Sequence, residues 1–176
     1  MSSLREHLMR YTPAALAMSL LLAVTASVGV GAPAAPLDPR AAVLVAEGRK
    51  ALAAGDANAA IDAFEAAFVI QPGHVAILLN LAEATRAQGL QGKALRYYRE
   101  ALEREPGNIY AVAGEGLALV EKGAIDKARR NLVRLEQLCP GNCPQARELA
   151  TAIQQGPAKQ VVTAEAVKPK PVVSDH

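Results

Sequence analysis

Pro72-Gly73-His74, Pro106-Gly107-Asn108 and Pro140-Gly141-Asn142 are three copies of one turn signal, each 34 residues after the last. A fixed internal period of this size fixes the architecture before any secondary structure is read, because it marks stacked supersecondary units. Other positions keep the same step: Gly55, Gly89 and Gly123; Ala60, Ala94 and Ala128; the large residues Phe64, Tyr98 and Leu132; and the small residues Gly48, Ala82 and Gly116.

Between markers each unit reads as two amphipathic helices, the first starting at Arg40, Val75 or Ile109 and the second near Ala57, Gln91 or Ala124. Ala60, Ile61, Phe64, Ala67 and Phe68 form one helical stripe, and Leu78, Leu81, Ala82 and Thr85 form its partner on the first helix of the next unit. Asp38 is placed to cap a helix with Pro39 in its first turn. Gly55 ends that helix, and Asp56 can start the next. His74 shares its slot with Asn108 and Asn142, so capping is its expected role. Where Gly48 or Ala82 sits a facing helix can approach closely; where Phe64 or Tyr98 sits a ring fills the space between neighbours.

These residues resemble the tetratricopeptide repeat family, whose pattern pairs a small residue in the first helix with Ala, an aromatic and a later Pro around the second. The matching residues are Gly48, Ala60, Phe64, Ala67 and Pro72; then Leu78, Ala82, Ala94, Tyr98, Ala101 and Pro106; then Gly116, Ala128 and Pro140. The family's first-helix Trp is replaced by Leu44, Leu78 and Val112, and Leu132 and Leu135 stand where an aromatic and an Ala are usual. The expectation is an all-α superhelix, a solenoid of three helix-turn-helix repeats at 41–74, 75–108 and 109–142 plus a C-terminal capping helix at 143–156, together forming a domain over 38–156. The capping helix carries Ala146, Leu149, Ala150 and Ile153 on one face, as an exposed solenoid edge requires.

The resemblance implies a concave wall built by the first helix of each pair. By register it includes Val45, Ala46, Arg49 and Ala53, then Leu79, Asn80, Glu83 and Ala87, then Tyr110, Ala113, Gly114, Leu117 and Glu121. Such a groove suits an extended or helical peptide with apolar side chains, with the Asn80 amide both donating to and accepting from its backbone. Some relatives in the family clamp a C-terminal carboxylate with Lys and Asn. Here only Asn80 matches that set, which disfavours a clamp. Self-covering of Val45, Leu79 and Leu117 is the competing reading of the groove.

Outside the repeats the chain changes character. Arg5 and Arg10 precede 27 positions without charge, 18 of them apolar, which reads as a secretory signal over 1–34, with an uncleaved anchor as the alternative. Residues 157–176 hold three Pro and three Lys without period and read as a disordered tail. With 19 Lys plus Arg against 17 Asp plus Glu and 3% aromatics in 176 residues, a nucleic-acid partner is not expected.

The search for chemistry returns little. Cys139 and Cys143 bracket the third turn, and after export they are expected to form a disulfide that pins the capping helix. No Cys-x-x-Cys, no paired histidines and no glycine-rich phosphate loop is present, so neither a cofactor, a metal nor an enzyme activity is expected. Asp62, Glu65, Glu100, Glu103 and Glu105 read as a solvated exterior, as do Lys127, Arg130 and Arg134. The functional expectation is an exported adaptor, periplasmic in location, binding a protein or peptide in its groove within an envelope assembly. The alternative is a permanent structural or regulatory subunit that uses its convex face. Membrane contact is expected only if the N-terminal segment stays uncleaved, in which case the protein is anchored in the inner membrane and faces the periplasm. The oligomeric state is left open.

Overall fold

The computed structural model describes residues 36–157, which form seven helices: α1 Pro39–Ala53, α2 Ala57–Ile70, α3 Val75–Ala87, α4 Gln91–Arg104, α5 Ile109–Glu121, α6 Ile125–Leu138 and α7 Pro144–Gln155. The signal over 1–34 and the tail beyond Pro157 lie outside the described residues. The helices pair as hairpins α1/α2, α3/α4 and α5/α6, and α2 meets α3 as α4 meets α5. First helices also touch one another, α1 with α3 and α3 with α5, and α7 continues that row by packing on both α5 and α6. This is the expected solenoid of three helix hairpins with a trailing cap.

The local signals act as their chemistry requires. The Asp38 carboxylate accepts from the Arg40 N–H at 2.8 Å, that of Asp56 accepts from Ala59 at 3.0 Å, and the Asn108 side chain accepts from Ala111 at 3.0 Å. Each satisfies a backbone donor that the first turn of a helix leaves open. The hairpin turns use Gly55, Gly89 and Gly123 at φ of +83°, +81° and +79°, a left-handed conformation that other residues adopt only at a cost.

Two capping expectations are corrected. His74 stands at the N-cap of α3, but its side chain makes no cap hydrogen bond there. At the third marker Pro144 takes the first helical position, so the cap slot moves from Asn142 to Cys143 and Asn142 lies one residue outside the helix.

The core is one cluster running through all seven helices, with Phe64, Ile77, Leu78, Leu81, Val112, Leu135 and Leu149 fully buried. Small residues set its spacing. The Phe64 ring lies so close to Gly48 that a Cβ there would meet it at 2.4 Å, and Leu149 of the cap sits over Gly116 in the same way at 2.5 Å. Thr85, buried in the stripe, satisfies its hydroxyl on the Leu81 carbonyl at 2.7 Å, so it enters the core without an open donor. Turns are also held from the next repeat: the Arg104 guanidinium lies over Gly73, and Leu138 lies over Gly107.

The two ends of the stack are finished differently. Ile77, Leu81 and Ala84 of α3 are fully buried against the preceding repeat, whereas the corresponding positions of α1 are Val43, Glu47 and Lys50, all exposed. The opposite end is covered by α7, which is tied to the third repeat by the Cys139–Cys143 disulfide.

Gly48→Ala is expected to lower stability by about 1–3 kcal/mol through overpacking against Phe64, with Phe64→Leu restoring part of the loss in the double variant, as read by urea denaturation. Cys139→Ser with Cys143→Ser is expected to cost about 2 kcal/mol for so short a loop, with amide exchange rising first in α7.

Candidate functional site

A cavity of about 640 Å³ opens on the first-helix side of the solenoid, lined by Arg49, Leu52 and Ala53 of α1, Ala76, Leu79, Asn80 and Glu83 of α3, and Tyr110 of α5. Six of the thirteen wall residues named from the sequence are therefore brought together: Arg49, Ala53, Leu79, Asn80, Glu83 and Tyr110. Val45 is not among them. It is 3% exposed and buried in the core, as is Ala113 two repeats on at the same register. Leu79 occupies that register in the middle repeat, and its extra carbon reaches the cavity. Leu117 is half-buried against the core and does not line the cavity. Leu52 and Ala76 were missed, although Ala76 stands 34 residues before Tyr110 and the period itself pointed to it.

The polar groups of the wall are arranged differently from the sequence expectation. Asn80 is 8% exposed, and both ends of its amide are used inside the protein. Its Oδ1 accepts from Arg49 Nε at 3.0 Å, and its Nδ2 donates to the Ala76 carbonyl one turn back. Asn80 thus uses one acceptor site and one donor inside the protein, where it fixes the Arg49 guanidinium over the groove and ties the first two repeats together. Tyr110, 62% exposed, projects from the third repeat as the largest apolar surface of the wall. Among the described residues, neither Arg49 nor Glu83 forms an ion pair, and no group of three or more His, Cys, Asp or Glu could hold a metal ion.

No family model matches the chain. Among curated proteins it is similar to the protein CTR9 homolog of Arabidopsis thaliana, 35% identical over 99 residues, a match spanning 56% of this chain and 9% of the length of that relative. Among solved structures it is similar to the Sgt2 TPR domain of Aspergillus fumigatus, with a TM-score of 0.63 and 23% identity over 82% of this chain and 96% of that one. The TPR2B domain of yeast Sti1, solved as a complex with Hsp70, gives a TM-score of 0.62 at 18% identity over 67% of this chain and 96% of that one. The first TPR of Spaghetti (RPAP3), bound to the HSP90 peptide SRMEEVD, gives 0.59 at 23% identity, covering 65% and 94%. The chain has the tetratricopeptide-repeat fold. Within that fold the replacement of the usual first-helix Trp is absorbed by packing: Leu78 and Val112 are fully buried and Leu44 is half-buried at the first edge. No helix among the described residues is long and apolar enough to cross a membrane.

Beside the cavity the tetratricopeptide aromatic of the second repeat takes on a polar role that sequence reasoning did not find. The Tyr98 ring reaches out of its own repeat to lie over Gly114 of α5, where a Cβ would meet it at 2.3 Å. Its hydroxyl end comes near Arg86, whose guanidinium bonds the Glu121 carboxylate at 2.5 Å. Burial opposes the charge on Arg86, but Glu121 and then Tyr98 outweigh it and hold the guanidinium above its ordinary pKa. Burial pushes the Tyr98 phenol up, with Arg86 opposing and Glu83 and Glu121 adding to the rise. A phenol whose folded pKa is raised contributes stability that is complete below its ordinary value of 10.0 and is lost as pH climbs through the folded value. The protein is therefore expected to lose stability above pH 10 more steeply than Tyr98→Phe does, measured as paired urea midpoints across the alkaline range.

Proposed function

We propose that the protein is an exported adaptor that holds a peptide or protein segment in its first-helix groove, within a cell-envelope assembly. The observation that carries this reading is the groove itself: an open, largely apolar cavity that joins all three repeats and includes two charged side chains without internal ion-pair partners. Convergent polar groups in an apolar concavity are the general form of a binding site, and exposed apolar surface marks interaction. Two proteins of similar fold were solved with such ligands, one with an HSP90 peptide and one with Hsp70, which supports peptide capture as the use of this face. Export is supported by the basic, then apolar, then small-residue pattern of 1–34 and by the Cys139–Cys143 disulfide, a bond that persists in oxidising compartments.

The convex alternative is less well supported, because the second helices show no apolar concavity like that of the groove and part of their charge is matched within the protein. Lys93 meets Glu65 at 2.9 Å, Arg99 meets Glu115 at 2.9 Å, Arg104 meets Glu100 at 3.5 Å and Arg129 meets Asp126 at 3.1 Å. Arg134, from the basic stripe of the third repeat, donates to the Pro106 carbonyl.

Leu79→Glu and Tyr110→Ala are expected to leave the helix content unchanged and to weaken partner capture at least about tenfold, a loss typical of interface anchors. Val69→Glu, on the exposed side of α2, should leave capture intact. Loss of binding in Val69→Glu with retention in the groove variants would assign function to the other face.

A further inference from the structure

One register position distinguishes the three repeats more sharply than any other in the groove. Arg49, Glu83 and Leu117 stand 34 residues apart, so the same place on successive first helices carries a cation, an anion and an apolar side chain. Both charged residues are exposed and line the cavity. Neither pairs with the other or with another charged group among the described residues; the Arg49 guanidinium is instead anchored through Nε to Asn80. Other exposed charges, such as Lys127 and Arg130, also lack ion pairs, and what sets Arg49 and Glu83 apart is that opposite charges on neighbouring first helices line one apolar cavity. Two opposite charges set side by side and left for an outside partner make the groove dipolar.

Resting on the peptide-binding reading above, we infer that the occupant is itself dipolar: a helical segment that presents a carboxylate to Arg49 and an ammonium or guanidinium to Glu83, with apolar side chains between them against Leu79 and Tyr110. The helical form follows from spacing. Packed helix axes lie about 8–10 Å apart, so the two charges are separated by roughly that step when a ligand runs across successive first helices. Positions about seven residues apart on a helix share one face and are separated by about 10 Å. In an extended strand the same-face positions fall at about 7 Å and about 13 Å, bracketing the step without matching it. The middle turn of such a helix places its apolar side chains over the cavity, against Leu79 and Tyr110. Complementary charge across a contact of this kind selects partner and orientation more than it adds affinity.

The test uses the full chain and synthetic Ala/Leu-rich amphipathic helices that differ only at two positions about seven residues apart, carrying Glu/Lys, Glu/Glu, Lys/Lys or Gln/Gln, with binding read by fluorescence anisotropy. The Glu/Lys helix is expected to bind roughly three- to tenfold tighter than Gln/Gln at low salt, with the advantage fading in high salt, as exposed ion pairs do. Glu83→Lys, which removes no internal bond, should move the preference to the Glu/Glu helix. Equal affinity for all four helices, weakened alike by Leu79→Glu, would overturn the dipolar inference and leave the groove in place as an apolar site. Failure of every helix to bind at millimolar concentration would overturn this inference and the groove reading together.

Discussion

The closeness of Phe64 to Gly48 is the constraint on which the rest of the stack depends. A ring can sink between two helices only where the facing residue has no side chain, and once there it leaves one separation at which the hairpin is filled without a void. Leu149 over Gly116 imposes the same condition at the cap, and Tyr98 over Gly114 carries it from one repeat into the next. Because these contacts recur in a common frame, the first helices fall into one row, and the row creates the groove. The cavity of the first-helix side is thus a by-product of how the opposite sides of those helices are packed.

The fold was legible because its determinants are local and repeated. The 34-residue step, the one-sided stripes and the Asp38, Asp56 and Asn108 caps each state their structural role within a few residues. Where the reading failed, a neighbour in sequence or in space overrode the pattern. Pro144 drew the helix start one residue past Asn142, and His74 holds a cap position without the cap bond. Val45 failed for a different reason: register locates the angular face of a residue but not how far its side chain reaches, and a Val at that place ends inside the seam. Asn80 lines the groove as its register places it, but its bond to Arg49 was illegible, because that residue lies 31 positions away and no sequence pattern encodes its side-chain direction. The Tyr98, Arg86 and Glu121 group was illegible for the same reason, since it joins three helices through the reach of long side chains.

Charge is distributed over the protein according to whether it has work to do inside. On the second helices, some acids and bases meet each other across turns and between repeats, as at Lys93–Glu65 and Arg129–Asp126. Glu115 shows the arrangement best: its carboxylate receives Arg99 at 2.9 Å and the Asn131 amide at 3.0 Å, joining α4, α5 and α6 at one point. In the groove Arg49 and Glu83 remain unmatched and of opposite sign. Opposite charges on one wall give it directional preference without requiring a large net charge on the protein, which is +2 overall.

The unequal finish of the two ends has a consequence for assembly. Helical stacks with bare apolar termini are templates for one another, since each terminus is the negative of the next unit's face, and such head-to-tail contacts do not close on themselves. Here Glu47 and Lys50 make the leading face unwelcoming to another hairpin, and α7 seals the trailing one. Within the described residues, a further hairpin stacking on α1 would have to bury Glu47 and Lys50, and one stacking on α6 would first have to displace α7.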